Sequence, residues 1–570
     1  MIALLAAAAL AATPPADNDV LLDSLKAELT RSFNGLKAQK DAPLYYVSYR
    51  ATDSQAWAES ASFGALTGSM TDTGPLAGRV RWLDTTVRAG TRALDSTHKV
   101  RSGSPFGEFD SSGGDHSLPV EDDRGAIETA IWRATDRAYK SAAKALIRVK
   151  ANVAVKADEE DKASDFSDDK PAVSVGPKSP PLDQQVDRAK WREVLTRLSA
   201  EFKSHPKILK SSVGIQVFSS TSYFVDSDGA KIREPHFFAR LTISGQTRAD
   251  DGMDLDLYDD VEATSPEALP KEDAMLERVK KLATRLEALR VAPTVEPYAG
   301  PAIITNRAAG VFFHEIFGHR IEGHRQKDAD DGHTFTKRVG QVIVPEFIDV
   351  TDDPTKRAFG ELPLNGFYQY DEEGQPAQRV SLVQHGVLKG FLMGRSPIQG
   401  FEHSNGHGRA MTGLHPVARQ GNLLVDSTNK IAFKDLRAAL LKEVKARGKP
   451  YGLLFEEISG GFTNTRTGGL PQAFKVIPQI VYRVYPDGRP DELVRGVDLV
   501  GTPISSFERI LATGDDPAVF NGFCGAESGW VPVSAVAPSM LLSEIEVERK
   551  QRGQDRQPLL PPPPSAGGER

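Results

Sequence analysis

Eight of the 12 histidines in this chain lie between His314 and His415: His314, His319, His324, His333, His385, His403, His407 and His415. The dense part of that run is Gly310-Val311-Phe312-Phe313-His314-Glu315-Ile316-Phe317-Gly318-His319-Arg320-Ile321-Glu322-Gly323-His324. Two imidazoles and a carboxylate within six residues are side chains that could hold a metal ion and its bound water, the neutral nitrogens serving as ligands. Loops also gather surface histidines, so spacing and surroundings must carry the argument.

The spacing is unusual. In a regular α-helix residues i and i+4 share a face, whereas i and i+5 diverge by about 140°. A π-bulge, closed by i→i+5 hydrogen bonds, would return His314 and His319 to one side, and Gly318 would ease the distortion. The surroundings are apolar (Val311, Phe312, Phe313, Ile316, Phe317), so an unpaired Glu315 would be costly. Its partner is either a metal-bound water, which also accounts for the histidines, or an ordinary capping, solvent or core contact. Thr305 or Asn306 is the expected helix cap and Gly323 the expected stop.

Composition bounds the alternatives. The chain has 570 residues, 39% of them hydrophobic and 26% charged, with 70 Lys+Arg against 77 Asp+Glu and a net charge of −7. These are the proportions of a globular protein of more than one domain. With no basic footprint, nucleic acid is not expected as the main partner. The single cysteine, Cys524, excludes an intrachain disulfide framework and a zinc site built on several thiolates. It is either an inert buried thiol or a group that works with non-cysteine partners.

Around these residues the chain reads as two domains. Residues 1–16 carry an apolar run too short to span a bilayer but fitting a signal peptide, with no Lys or Arg before it. If the leader is a signal peptide the protein is periplasmic or secreted, and otherwise cytoplasmic. Residues 17–295 read as an α/β domain. Helices are expected over 21–38, 126–150, 184–202 and 266–290, and strands over 44–51, 80–89, 213–218, 223–225 and 237–244. Within it, about 157–181 is acidic and poor in large apolar residues, a solvated loop by composition. Residues 293–301 are the expected boundary. Residues 296–550 read as a mainly antiparallel β, barrel-like domain carrying the histidine helix over 308–321. Its strands are expected over 342–350, 379–383, 387–393, 476–484 and 541–547, with a helix over 433–447. Residues 551–570, with Pro561 to Pro564, read as a disordered tail.

Several spaced stretches resemble the TldD/PmbA family of metallopeptidases, in the family's order. Ala309 to Gly323 resembles its HExxxH region. Asp371-Glu372-Glu373-Gly374 followed by Leu382 to Gly390 resembles an acidic turn and strand-turn-strand. Arg495 to Gly501, and Phe523-Cys524-Gly525 through Val533, resemble its C-terminal signature. The likeness covers roughly Leu21 to Glu548 and is strongest after Pro301. Two stretches depart from the pattern. The family's Arg-Met-Thr-Asn stands here as Arg419-Gln420-Gly421-Asn422, and Asn405 to Arg409 is only approximate.

The resemblance implies a zinc site with ligands His314, His319 and Cys524, and Glu315 as the general base acting on a metal-bound water. His324 is a rival ligand by spacing that the resemblance does not favour. Glu322 matches a recurring acidic position and is a candidate for orienting a ligand histidine. The implied activity is a zinc-dependent metallopeptidase acting on unfolded or extended polypeptides, taken up by strand addition in an enclosed cleft. The implied assembly is a homodimer, or a heterodimer with a related subunit lacking the metal motif. His407, Arg409, His415 and Arg419 are candidates for stabilising an oxyanion. The alternatives are a zinc hydrolase acting on non-peptide amides, and a non-catalytic peptide-binding or assembly subunit with structural zinc.

Overall fold

The computed structural model describes residues 19–69, 78–98, 116–153, 162–327, 334–465, 474–550 and Leu560. The expected leader, most of the expected tail, residues 157–161 and His333 lie outside the described residues. Among the described residues no helix is long and apolar enough to cross a membrane.

The first domain is an eight-stranded sheet with helices on one face. Leu44–Ser62 and Lys210–Asp226 pair along their length at its centre, flanked by Gly78–Ala89 and Lys231–Arg248, with Asp254–Ala263 beyond. On Leu44–Ser62 the odd-numbered residues Val47, Tyr49, Ala51, Trp57 and Ala61 are buried. They meet Val20–Leu36 and Arg124–Val153 at one end, and Arg188–Ala200 and Glu272–Val291 at the other. Alternation of this kind is what a sheet covered on one face requires. The opposite face turns to the second domain, where Arg50 donates to the carbonyls of Ala410 and Met411, both at 3.1 Å.

Several expected elements are longer than the sequence suggests. The runs 213–218 and 223–225 are one strand, Lys210–Asp226. Serines 219, 220 and 222 interrupt its apolar pattern, but ladders on both sides carry it through.

The acidic loop is a correction. Its described part is not a solvated excursion: Asp165, Phe166 and Ser167 are buried, and Val173–Val175 adds a parallel strand beside Lys231–Arg233. Phe166 is the cause. Its ring lies 4.6 Å from that of Tyr46, with the guanidinium carbons of Arg88 and Arg395 each 4.0 Å from its centroid. Arg395 belongs to the second domain and also donates to Ser167 O at 3.1 Å, so the segment straps the domains together.

Residues 292–297 lead into the second domain, which is mainly antiparallel β. Tyr298–Ile304, Gly452–Thr463, Phe474–Val484, Val497–Gly501 and Met540–Arg549 pair in that order, and Met540–Arg549 returns to Tyr298–Ile304, closing a five-stranded barrel. Closure leaves these strands no common free edge. A second sheet of six strands runs from Val387–Leu388 through Val380–Gln384, Ile348–Asp352, Asn422–Ser427 and Gly529–Ala537 to Ala518–Ala526 at its edge. The expected strand over 342–350 shrinks to Ile348–Asp352. Ile343 and Val344 are buried without a ladder, and Pro345, which cannot donate to one, interrupts the run. The strand expected over 387–393 is only Val387–Leu388.

Candidate metal centre

The histidine helix, Asn306–Ile316, is apolar on nearly every side and buried from Ala308 to its end. Such a helix belongs between layers, and it lies between the barrel strand Gly452–Thr463 and the six-stranded sheet. Gly310 permits the close approach: a Cβ there would stand 3.0 Å from Ala535 O. Of the two expected caps, Thr305 occupies the cap position but donates to Glu456 O, while the Asn306 amide donates to Asp516 O, both at 2.7 Å.

The gap from His314 to His319 is closed without a π-bulge, contrary to the sequence expectation. The α-helix stops at Ile316, Phe317 N still donates to Phe313 O at 3.0 Å, and Gly318–Arg320 tightens into a 3₁₀ turn. Two contacts fix that stop. Arg320 Nη1 donates to the carbonyls of Glu315 and Ile316 at 3.1 and 3.3 Å, satisfying two of the helix's last acceptors. The Gln420 side chain lies where a Cβ on Gly318 would be, 1.9 Å from Oε1. The two imidazole rings then stand 5.1 Å apart between centroids, inclined at 79°.

Cys524 arrives on Ala518–Ala526, paired with Gly529–Ala537 so that Cys524 faces Val531. Its Sγ is 3.1 Å from His314 Nε2 and 3.3 Å from His319 Nε2. The three candidate ligand atoms lie within 4.8 Å of one another, all in buried residues. Zinc–sulfur and zinc–nitrogen bonds in a tetrahedral site would separate sulfur from nitrogen by about 3.6 Å, so this donor set fits the ion with small adjustment.

The charges agree with the geometry. Burial pushes the Cys524 thiol up, but His319 and His314 pull it well below its ordinary value, toward thiolate. Burial pulls both imidazoles down, yet the thiolate outweighs it and raises them, His319 the more strongly because Glu322 adds to the effect. A cation held at the nitrogens would meet the same thiolate. Glu315, 6% exposed, has no hydrogen-bond partner at Oε2, and burial raises its carboxyl above the usual range.

Glu322 contacts His319: Oε2 lies 3.3 Å from Nδ1. Against the cost of burial, His319 and then Arg325 hold it down at about 2. Arg325 escaped the sequence reading. Its Nε donates to Glu322 at 2.8 Å and its Nη2 to Glu527 at 2.9 Å, tying the histidine segment to the Cys524 hairpin. The i,i+3 spacing of Glu322 and Arg325 was the available signal. Arg419 is not a surface residue: it is fully buried, donates to Cys524 O at 2.7 Å, and sits 3.4 Å from Glu322 Oε1. Arg409 is buried too, donating to Gln420 O and Pro532 O at 2.8 and 2.7 Å.

The other clustered histidines lie elsewhere. His324 bonds to Glu527. His403 bonds to Asp169 at 2.9 Å, and buried His407 faces Asp352 at 3.3 Å. His385, with φ of +48°, forms a two-residue hairpin turn with Gly386.

Residues 298–549 match the family model of the PmbA/TldA metallopeptidase C-terminal domain. A protein of Archaeoglobus fulgidus named "Metalloprotease" is 31% identical over 240 residues, 42% of this chain and 51% of its own. A "Zinc metalloprotease TldD homolog" of Saccharolobus solfataricus is 26% identical over 257 residues, 44% of this chain and 52% of its own. The chain thus spans about half the length of these two relatives. The solved structure of TldE from Thermococcus kodakarensis shares the fold, with a TM-score of 0.57 at 12% identity over 92% of this chain and all of that one.

Proposed function

The chain is a member of the TldD/PmbA family, and from that premise we propose that it is a zinc-dependent peptidase cutting unfolded or extended polypeptides. The observation that carries the proposal is Glu315: a buried carboxylate with an unpartnered oxygen, next in sequence to one member of a His-His-Cys donor set. A closed structural site has no use for such a group.

His314, His319 and Cys524 would hold the ion, and three protein donors are the number that zinc enzymes employ. Bound there, zinc supplies Lewis acidity, polarising a carbonyl and making water nucleophilic near neutral pH. Glu315 takes a proton at Oε2 from the attacking water and delivers it to the leaving amine. Its raised affinity for that proton suits a group that must hold it briefly. Glu322 lies against Nδ1 of His319, and by accepting a hydrogen bond there would leave Nε2 available to hold the ion. An extended substrate is supported by the Cys524 strand, which ends its sheet and pairs on one side only among the described residues.

Replacing Glu315 with Gln should leave zinc bound and abolish cleavage of an unfolded protein such as casein. Unchanged turnover would remove Glu315 from the base's role. The proposal includes action as a dimer, with itself or with a related subunit, which light scattering tests. It also includes export if residues 1–16 are a signal peptide, which the N-terminus of the mature protein decides.

A further inference from the structure

We propose that Gly461 is a positioning residue for the Glu315 carboxylate, an inference resting on the reading of Glu315 as general base. Gly461 lies on the barrel strand Gly452–Thr463, which runs beside the histidine helix. A Cβ built on Gly461 would fall 2.8 Å from Glu315 Cγ and 3.2 Å from Cδ. On its other side it would stand 2.9 Å from the carbonyl oxygen of Lys475, in the strand that pairs with this one. The glycine is thus squeezed between the side chain of the base and a neighbouring backbone.

Neither side has an easy way to yield except the carboxylate. Lys475 belongs to a strand held by ladders to both neighbours. The backbone of Glu315 is tied through its carbonyl to Arg320 and sits in a helix buried on every side. An alanine at 461 must therefore turn the Glu315 side chain out of its present position. The adjacent Gly460 differs: nothing lies within 4 Å of a Cβ built there. The glycine pair divides its work by strand alternation, one facing the base and the other open space.

The test uses the full-length, zinc-loaded protein with casein as substrate, comparing wild type with Gly461→Ala, Gly460→Ala and Glu315→Gln. A misplacement of about 1 Å in a catalytic group costs about 10²-fold. Gly461→Ala should lower kcat by about that factor, with KM, zinc content and melting midpoint kept. Gly460→Ala should stay within about twofold of wild type in kcat. Wild-type kcat in Gly461→Ala overturns the inference. So does a loss accompanied by released zinc or a lowered midpoint, because the effect would then not be confined to the carboxylate. An equal loss in Gly460→Ala overturns it as well. An active Glu315→Gln would instead defeat the general-base reading, whereas an inactive Glu315→Gln beside an active Gly461→Ala defeats only the role given to Gly461.

Discussion

Cys524 Sγ lies 3.1 Å from His314 Nε2, although the two residues are 210 positions apart in the chain. The contact joins the helix leaving the barrel to the edge strand of the second sheet. The candidate ligand set therefore exists only when both are packed. A metal there would bind the folded domain and not the unfolded chain, and would stabilise it by linkage.

Replacing Cys524 with Ser tests this directly. A serine hydroxyl does not ionise near neutral pH, so the site would lose its only anionic donor. Zinc affinity should fall by more than the about 10–100-fold that outer partners contribute, and metal analysis after dialysis should find the variant largely empty. Full occupancy would place the third ligand elsewhere.

Glu322→Gln addresses the support beneath His319. The carboxylate faces His319, Arg325 and Arg419 at once. Its loss should weaken zinc by about 10–100-fold in chelator competition. It should also lower stability by about 3–5 kcal/mol, since two buried guanidinium groups lose a common partner. Unaltered zinc affinity would show that the His319 ring is held by packing alone.

The strap through Phe166 gives a prediction independent of the metal. The ring is 3% exposed and is shared by residues from both domains. Phe166→Ala should cost about 3–5 kcal/mol in denaturant unfolding, as for other buried phenylalanines. A change below about 1 kcal/mol would mean that the strap rests on its hydrogen bonds instead.

These residues also show what could be read from sequence. His314, Glu315 and His319 announced themselves because their chemistry is local. The closure of the i+5 gap did not, because it depends on Gln420 pressing on Gly318 from a distant part of the chain. Phe166 was hidden by its acidic neighbours, since composition averages over a window and cannot see Arg88 and Arg395 arriving from elsewhere. Arg419 is a candidate oxyanion group by charge alone, and its partners, a backbone carbonyl and Glu322, come from distant parts of the chain. Periodic helices and strands were legible to within a few residues, as Phe433–Ala446 and Met540–Arg549 illustrate. Lys210–Asp226 was split because its continuity comes from its neighbours' ladders, which no local pattern reveals.

Glu262 supplies a pH prediction away from the metal. It lies in the interior beside Asp260, with neither oxygen well hydrogen-bonded and Arg240 Nε 3.4 Å away. Burial first, and the Asp260 charge second, raise it from 4.5 to about 7, with Arg240 opposing. A carboxyl whose folded pKa is raised favours the folded state while protonated. Its contribution is therefore full below about pH 4.5, falls as pH rises toward 7, and is gone above that. A rise from 4.5 to about 7 corresponds to about 3 kcal/mol. Glu262→Gln keeps the neutral shape at every pH, so at pH 8 it should be more stable than wild type by up to about 3 kcal/mol. At pH 4 the two should agree within about 0.5 kcal/mol. Urea unfolding of both proteins at the two pH values reads the difference, in which the pH dependence they share cancels. A variant less stable than wild type at pH 8 would mean that attraction to Arg240 outweighs burial and that the Glu262 pKa is not raised in the folded protein.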